Sequence, residues 1–366
     1  MRKDKARTCD ICGSTSTIAG CLGVCKDCLI DDEDARRRAE LAHYNSRIRS
    51  HLPTRPPREG KACGQCVNDC HIPEGGVGYC GVRWNIDDEI VGLGGYEAIV
   101  SAHREPLPTN CVADWICPGG NGCGYPMYSH SPGTERGFYN LSVFYGACTF
   151  DCLFCQNWHF KDMTSALRPR MSPEAVEEMI DHSTSCVCFF GGDPTSFIQH
   201  SISVAEIARG RENGIRRMCW ETNGSMKSRW ARKLGDIAME SGGIVKVDAK
   251  AFDNRLHRAL CGSSNSQTLR NIEILGKMAA GRREVPLLVV STPMIPGYVD
   301  EEEVPKIAGF LAEIDPDTPY SLLAFHPSHA MSDLPVTTRK EAEACVKAAR
   351  EAGLEEVHIG NEWMLR

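Results

Sequence analysis

Fifteen of the twenty cysteines in this 366-residue chain lie before residue 156, many of them spaced C-x-x-C or C-x-x-x-C. That crowding constrains the fold more than any other feature. In a small secreted domain it would read as a disulfide framework. This chain is long, 42% hydrophobic and 24% charged, so a buried core is expected without disulfides in its place. Its first residues, MRKDKARTCDICG, lack the apolar stretch of a secretory signal. No run approaches the roughly 20 apolar residues that cross a bilayer, and a cytoplasmic setting is expected. In a reducing compartment, thiols two or three residues apart are expected to hold metal. The net charge of −7 argues against nucleic acid or an anionic membrane as a partner.

The cysteines fall into sets. Cys9-x-x-Cys12 and Cys25-x-x-Cys28 form two knuckles, predicting a zinc-ribbon or rubredoxin-like site over residues 1–30 that holds one zinc or iron. Cys21 is a candidate substitute ligand. Such a metal folds a segment too small for its own core. Residues 31–61 read as a charged helix and a Pro-rich linker, LPTRPPREGK. Residues 62–137 read as a cysteine-rich, loop-rich layer. There Cys63, Cys66, Cys70 and Cys80 are expected to hold an auxiliary iron–sulfur cluster or zinc. Cys111, Cys117 and Cys123 are left open between a ligand role at that site, a separate site and free thiols. The last five, Cys186, Cys188, Cys219, Cys261 and Cys345, are expected to be small buried hydrophobes.

From residue 138 the texture changes. Short apolar runs at 138–146, 186–192, 216–224, 243–250, 285–292, 320–327 and 355–360 read as strands with amphipathic helices between them. Ser172-Pro173 reads as a helix start, Thr338 with Glu341 as a capping box, and Gly353 as the stop of that helix. The repeated β–α order predicts an α/β fold: a partial (β/α) TIM-type barrel over residues 138–366. Such barrels place chemistry at the C-terminal ends of strands. Cys148, Gly191-Gly192-Asp193, Glu221-Thr222-Asn223-Gly224, and Asp248 with Lys250 all fall there.

The run GACTFDCLFCQNWHF holds Cys148-x-x-x-Cys152-x-x-Cys155. Three thiolates this close can hold three irons of a [4Fe–4S] cube, and a fourth cysteine at similar spacing is missing, leaving one iron open. An open metal position marks catalysis rather than structure. With this motif after the first barrel strand, the chain resembles the radical S-adenosylmethionine (SAM) superfamily over roughly residues 62–360. The resemblance implies that SAM chelates the open iron and that an electron from the cluster cleaves it to a 5′-deoxyadenosyl radical, which takes hydrogen from substrate. Gly191-Gly192-Asp193-Pro194-Thr195 is similar to the family's GGEPT motif, with Asp for Glu, and by that likeness would hold the SAM amino group. Glu221-Thr222-Asn223-Gly224 resembles the ETNG segment of pyruvate formate-lyase activase-like members, and Asp248 to Phe252 resembles their DLKAF segment. Lys250 would then pair with the SAM carboxylate and Asp248 with a polar group of SAM or substrate; a purely structural Lys–Asp pair is the alternative. Tyr145, Phe154 and His326 are each open between a site role and a structural one, and no residue is singled out as a catalytic acid or base.

Overall organisation also resembles the small cobalamin-dependent radical SAM methyltransferases associated with methanogens, including the one that modifies a glutamine of methyl-coenzyme M reductase. The leading expectation is therefore C-methylation of a protein, using cobalamin, although no D-x-H-x-x-G cobalamin motif is present. The second is a glycyl-radical activase, and the third a metal-binding scaffold with a degenerate barrel. The implied partners are a protein or peptide substrate and an electron donor such as ferredoxin or flavodoxin.

Overall fold

The computed structural model describes residues 6–93, 96–210 and 214–366. The first five residues of the expected metal knuckle and residues 94–95 of the cysteine-rich layer lie outside the described residues. Each apolar run from residue 138 onward forms a strand: β1 Tyr139–Tyr145, β2 Thr184–Gly191, β3 Arg217–Thr222, β4 Val245–Asp248, β5 Leu288–Met294, β6 Tyr320–Ala324 and β7 Val357–Gly360. They pair in parallel, each with the next in sequence. The sheet has two ends, so the barrel is partial, as expected. The helix starts hold as well. Ser172 accepts a hydrogen bond from the Ala175 amide, and Thr338 and Glu341 form a reciprocal capping box.

The layer read as loops contains a nine-residue strand, Ala98–Pro106. It pairs antiparallel with β1 and carries the short strand Arg170–Met171 on its far side. The parallel sheet thus gains an antiparallel edge, a common end for such sheets.

Buried parallel strands usually read as continuous apolar runs, and barrel interiors are usually filled by branched aliphatic side chains. β5 follows that rule with Leu288, Val289 and Val290, all buried. The alternate residues of β2, β3 and β4 break it: Cys186 and Cys188, then Arg217, Cys219 and Glu221, then Lys246 and Asp248.

The N-terminal segments are docked on this barrel. Helix Glu33–Arg49 starts on Asp32, whose side chain accepts from the Ala35 amide, and it buries His43, Ser46 and Arg47. The metal knuckle rests on the loop after β5. There the Tyr298 hydroxyl accepts from the Ala19 amide at 2.9 Å and donates to the Val24 carbonyl at 3.0 Å. Lys26 pairs with Asp300 at 2.7 Å. Gly297, at φ +78°, sits so close that a Cβ there would lie 2.2 Å from the Thr17 carbonyl oxygen. No helix among the described residues is long and apolar enough to cross a membrane.

Candidate active site

A cavity of about 540 Å³ opens at the C-terminal ends of the strands. Cys148, Cys152 and Cys155 all line it. They sit on the loop that leaves β1, and that loop is pinned from behind. The Asp151 and Leu153 amides donate to the Cys261 and Leu260 carbonyls. Asp151 itself is 1% exposed and meets three basic side chains: Lys161 at 2.6 Å, His43 at 3.1 Å and Arg47 at 3.8 Å. Burial alone would raise its pKa; these basic neighbours outweigh that and hold it down to about 2. The helix of residues 33–49 thereby clamps the cysteine loop to the barrel. The signal for Asp151 was in the sequence, a lone charge between Cys148 and Cys152, but nothing linked it to His43 or Lys161.

Cys261 was also missed as a neighbour of the triad. It is fully buried at the end of helix Asn254–Cys261, and its thiol lies beside that of Cys152. That contact is the largest influence on Cys152 and lowers its pKa, while burial pushes Cys148 well up and Cys155 up to about 12. Cys261 does not line the cavity, so among the described cysteines of this loop region the triad alone faces it. Three thiols on one loop turned to one space, with Cys111 of a separate segment also lining it, fit a cluster held by the triad with an open iron.

Opposite the triad, Gly191 has φ +113°, and a Cβ on Gly192 would lie 2.5 Å from the Ala147 carbonyl oxygen. Only glycine keeps backbone this close to both its neighbour and the cavity. Asp193 lines the cavity, yet its carboxylate is taken up by the protein: it accepts from the Thr195 amide at 2.7 Å, the Asn223 amide at 2.6 Å and the Thr222 hydroxyl at 3.0 Å. It couples the end of β2 to the end of β3. Pro194 and Thr195 lie buried in the turn beneath and do not line the cavity. Glu221, Thr222 and Asn223 line it from β3. Lys250 lines it from beyond β4, 2.8 Å from Asp248, which accepts from the Ser291 hydroxyl at 2.6 Å. Burial disfavours the Lys250 ammonium, but Asp248 and the nearby thiols outweigh it and raise its pKa.

The two upstream cysteine sets lie outside this cavity. In the knuckle the sulfurs of Cys9 and Cys28 are 3.7 Å apart, those of Cys12 and Cys25 3.8 Å, and all four lie within 4.8 Å of one another. Four thiolates about 2.3 Å from a tetrahedral zinc have edges of about 3.8 Å, so this set fits one ion. Cys21 is not in it; it faces Asp333, and burial pushes its thiol up to about 12. Cys63, Cys66, Cys70 and Cys80 line a small cavity that also touches Thr149 of the triad loop. Their segment is tied there by Asn68, which donates to the Thr149 carbonyl at 2.6 Å. The late cysteines divide: Cys261 and Cys345 are buried as expected, whereas Cys186, Cys188 and Cys219 line the barrel interior.

A family model described as the Radical SAM superfamily matches residues 142–311, from within β1 to within helix Val304–Ile314. Residues 142–311 are a radical SAM domain. An uncharacterized protein of Methanocaldococcus jannaschii is 25% identical over 304 residues, 82% of this chain and 80% of that protein. The isethionate sulfite-lyase activating enzyme of Oleidesulfovibrio alaskensis is 32% identical over 139 residues, which spans 37% of this chain and 40% of that enzyme. A solved domain of a pyruvate-formate lyase-activating enzyme from Bacteroides vulgatus is 22% identical, with a TM-score of 0.36, over 48% of this chain and 98% of that domain. The triad, the glycine turn at 191–192 and the β3 and β4 ends all lie inside the radical SAM domain.

Proposed function

We propose that this radical SAM enzyme takes hydrogen from a protein-borne substrate, with a glycine backbone of a partner enzyme as the target. The observation that carries the reading is the single cavity in which the thiols of Cys148, Cys152 and Cys155 face the Gly191–Asp193 backbone, Glu221 and the Asp248–Lys250 pair. When bound on Cys148, Cys152 and Cys155, a [4Fe–4S] cluster supplies the electron that splits SAM and yields a 5′-deoxyadenosyl radical. The protein's part is positioning. Gly191 and Gly192 bring backbone acceptors close to an amino group, and Asp193 fixes that turn against β3. Lys250, held cationic beside Asp248, offers a charge partner to a carboxylate. The likeness to an activating enzyme over 139 residues supports the glycyl-radical target. C-methylation of a glutamine in methyl-coenzyme M reductase rests on sequence resemblance alone and would need methylcobalamin as the methyl donor.

The test is a product analysis. Protein reconstituted anaerobically with iron and sulfide is given SAM and reductant, with and without hydroxocobalamin. The expected product is 5′-deoxyadenosine in equal yield in both. S-adenosylhomocysteine appearing only with cobalamin would replace this reading with methylation. Neither product from protein with its cluster intact would sink SAM cleavage altogether. Cys152→Ala is expected to bring 5′-deoxyadenosine below detection while leaving the knuckle metal in place.

A further inference from the structure

Beneath the active-site cavity the barrel interior holds a second space, of about 110 Å³. Five thiols line it: Cys111 and Cys117 from the segment before β1, Cys186 and Cys188 from β2, and Cys219 from β3. Cys188 pairs in register with Cys219, and Cys186 lies two residues before Cys188, so the strand pleat turns both toward the same face. The segment bearing Cys111 is drawn across the open flank of the barrel. Trp115 Nε1 donates to the Ser321 hydroxyl at 3.0 Å, that hydroxyl donates to the Val112 carbonyl at 2.7 Å, and the Trp115 ring stacks on His358. Between the two sides lies Lys246. Its Nζ is 3.2 Å from Cys111 Sγ, 2.9 Å from Cys188 Sγ and 3.7 Å from Glu221.

Small buried hydrophobes would close up around one another. These thiols leave a space and surround a lysine that is 2% exposed. A buried ammonium needs negative charge beside it. Glu221 supplies one carboxylate at 3.7 Å, while the two nearer partners are thiols, weak and neutral unless a metal makes them thiolates. Spacing separates the kinds of centre. Among the described residues only Cys9, Cys12, Cys25 and Cys28 gather three or more ligand atoms within 4.8 Å; the barrel thiols stand wider, with Cys111 and Cys188 each within 3.2 Å of the same ammonium. A wider set suits a polynuclear centre.

We propose that Cys111, Cys188 and Cys219, completed by Cys117 or Cys186, hold an iron–sulfur cluster inside the barrel, with Lys246 as its counter-charge. The site is distinct from the Cys63–Cys80 set. Cys111 and Glu221 line both cavities, so the centre would lie directly below the substrate end of the active site.

Anaerobic crystals of the reconstituted full chain, measured at the iron edge, locate the centre directly. The expected map has an anomalous peak among Cys111, Cys188 and Cys219, separate from the peak at the Cys148 triad. A triad peak with nothing in the barrel overturns the proposal, as does a barrel peak that appears only at the zinc edge. In solution, Cys188→Ser with Cys219→Ser is expected to lose about four irons and four sulfides per chain, while SAM still perturbs the electron paramagnetic resonance signal of the triad cluster. Unchanged iron and sulfide in a folded variant would also overturn it. If that variant does not fold, the anomalous map of the unaltered protein decides.

Discussion

Asp151 shows how much one side chain does here. It sits between two candidate cluster ligands, makes no contact with the cavity, and gathers Lys161, His43 and Arg47 around itself in a dry environment. Removing one member of a buried ion pair strands the other and typically costs about 3–5 kcal/mol. Asp151→Asn keeps the shape and deletes the charge, leaving Lys161 at 1% side-chain exposure without its carboxylate. The expected result is an unfolding free energy from urea titration lowered by an amount in that range and a triad that loads less iron under the same reconstitution. Full iron loading with unchanged stability would show that the clamp is ornamental. The sequence made the three cysteines of the triad legible as one group because they are local in the chain, and all three line one cavity. The clamp was not legible, since its members at positions 43, 151 and 161 meet only after the helix docks.

At the scale of elements, legibility followed the physics of burial. Strands β1 to β7 stood out because each carries apolar residues, continuous in β5 and alternating in β3 and β4, between helical stretches. Strand Ala98–Pro106 did not, because it lies toward the edge and carries His103, Arg104 and Glu105 on half of its length. Helix Glu33–Arg49 is a sharper case. It buries His43, Ser46 and Arg47 while leaving Leu41 58% and Ile48 47% exposed, the reverse of the face that hydrophobic periodicity selects. A polar stripe is buried because Asp151 and the Tyr79 carbonyl receive it. The knuckle was legible as a metal site from spacing alone, though not as a unit seated on Tyr298. Its two short strands, Ala6–Thr8 and Thr15–Thr17, are too small to persist without the ion. Cys12→Ser is expected to lose one metal per chain by elemental analysis and to speed hydrogen exchange across residues 6–30, with β1 to β7 unaffected. Cys21→Ser is expected to keep the metal; its loss would put Cys21 back among the ligands.

The whole molecule carries buried titratable groups on both sides of the sheet, and together they set its response to acid. His200 is fully buried against the Tyr145 hydroxyl at 3.0 Å. Burial, its largest influence, lowers its pKa from 6.5 to about 4. The folded protein therefore resists protonating it where the unfolded chain does not, and stability falls as pH drops from about 6.5 toward 4. Glu135 acts lower. Burial alone would raise its pKa, but Arg217, donating to it at 2.9 and 2.7 Å, holds it down to about 2. Its contribution is present in full above the unfolded value near 4.3 and is lost as pH falls toward 2. The two windows are nearly contiguous, so urea midpoints should decline continuously from pH 6.5 downward, first through His200 together with His257 and His329, which burial likewise lowers to about 4, and then through Glu135. Glu135→Gln separates them. It leaves Arg217 buried without its carboxylate, so it should lower the unfolding free energy at neutral pH by roughly 3–5 kcal/mol and the urea midpoint with it, keep the slope between pH 6.5 and 4, and flatten the slope below that. A midpoint that does not move between pH 7 and pH 4.5 in the unaltered protein would show that His200 is not held neutral in the fold. An unchanged acid slope in Glu135→Gln would remove Glu135 and Arg217, which tie residues 128–135 to the base of β3, from any part in acid unfolding.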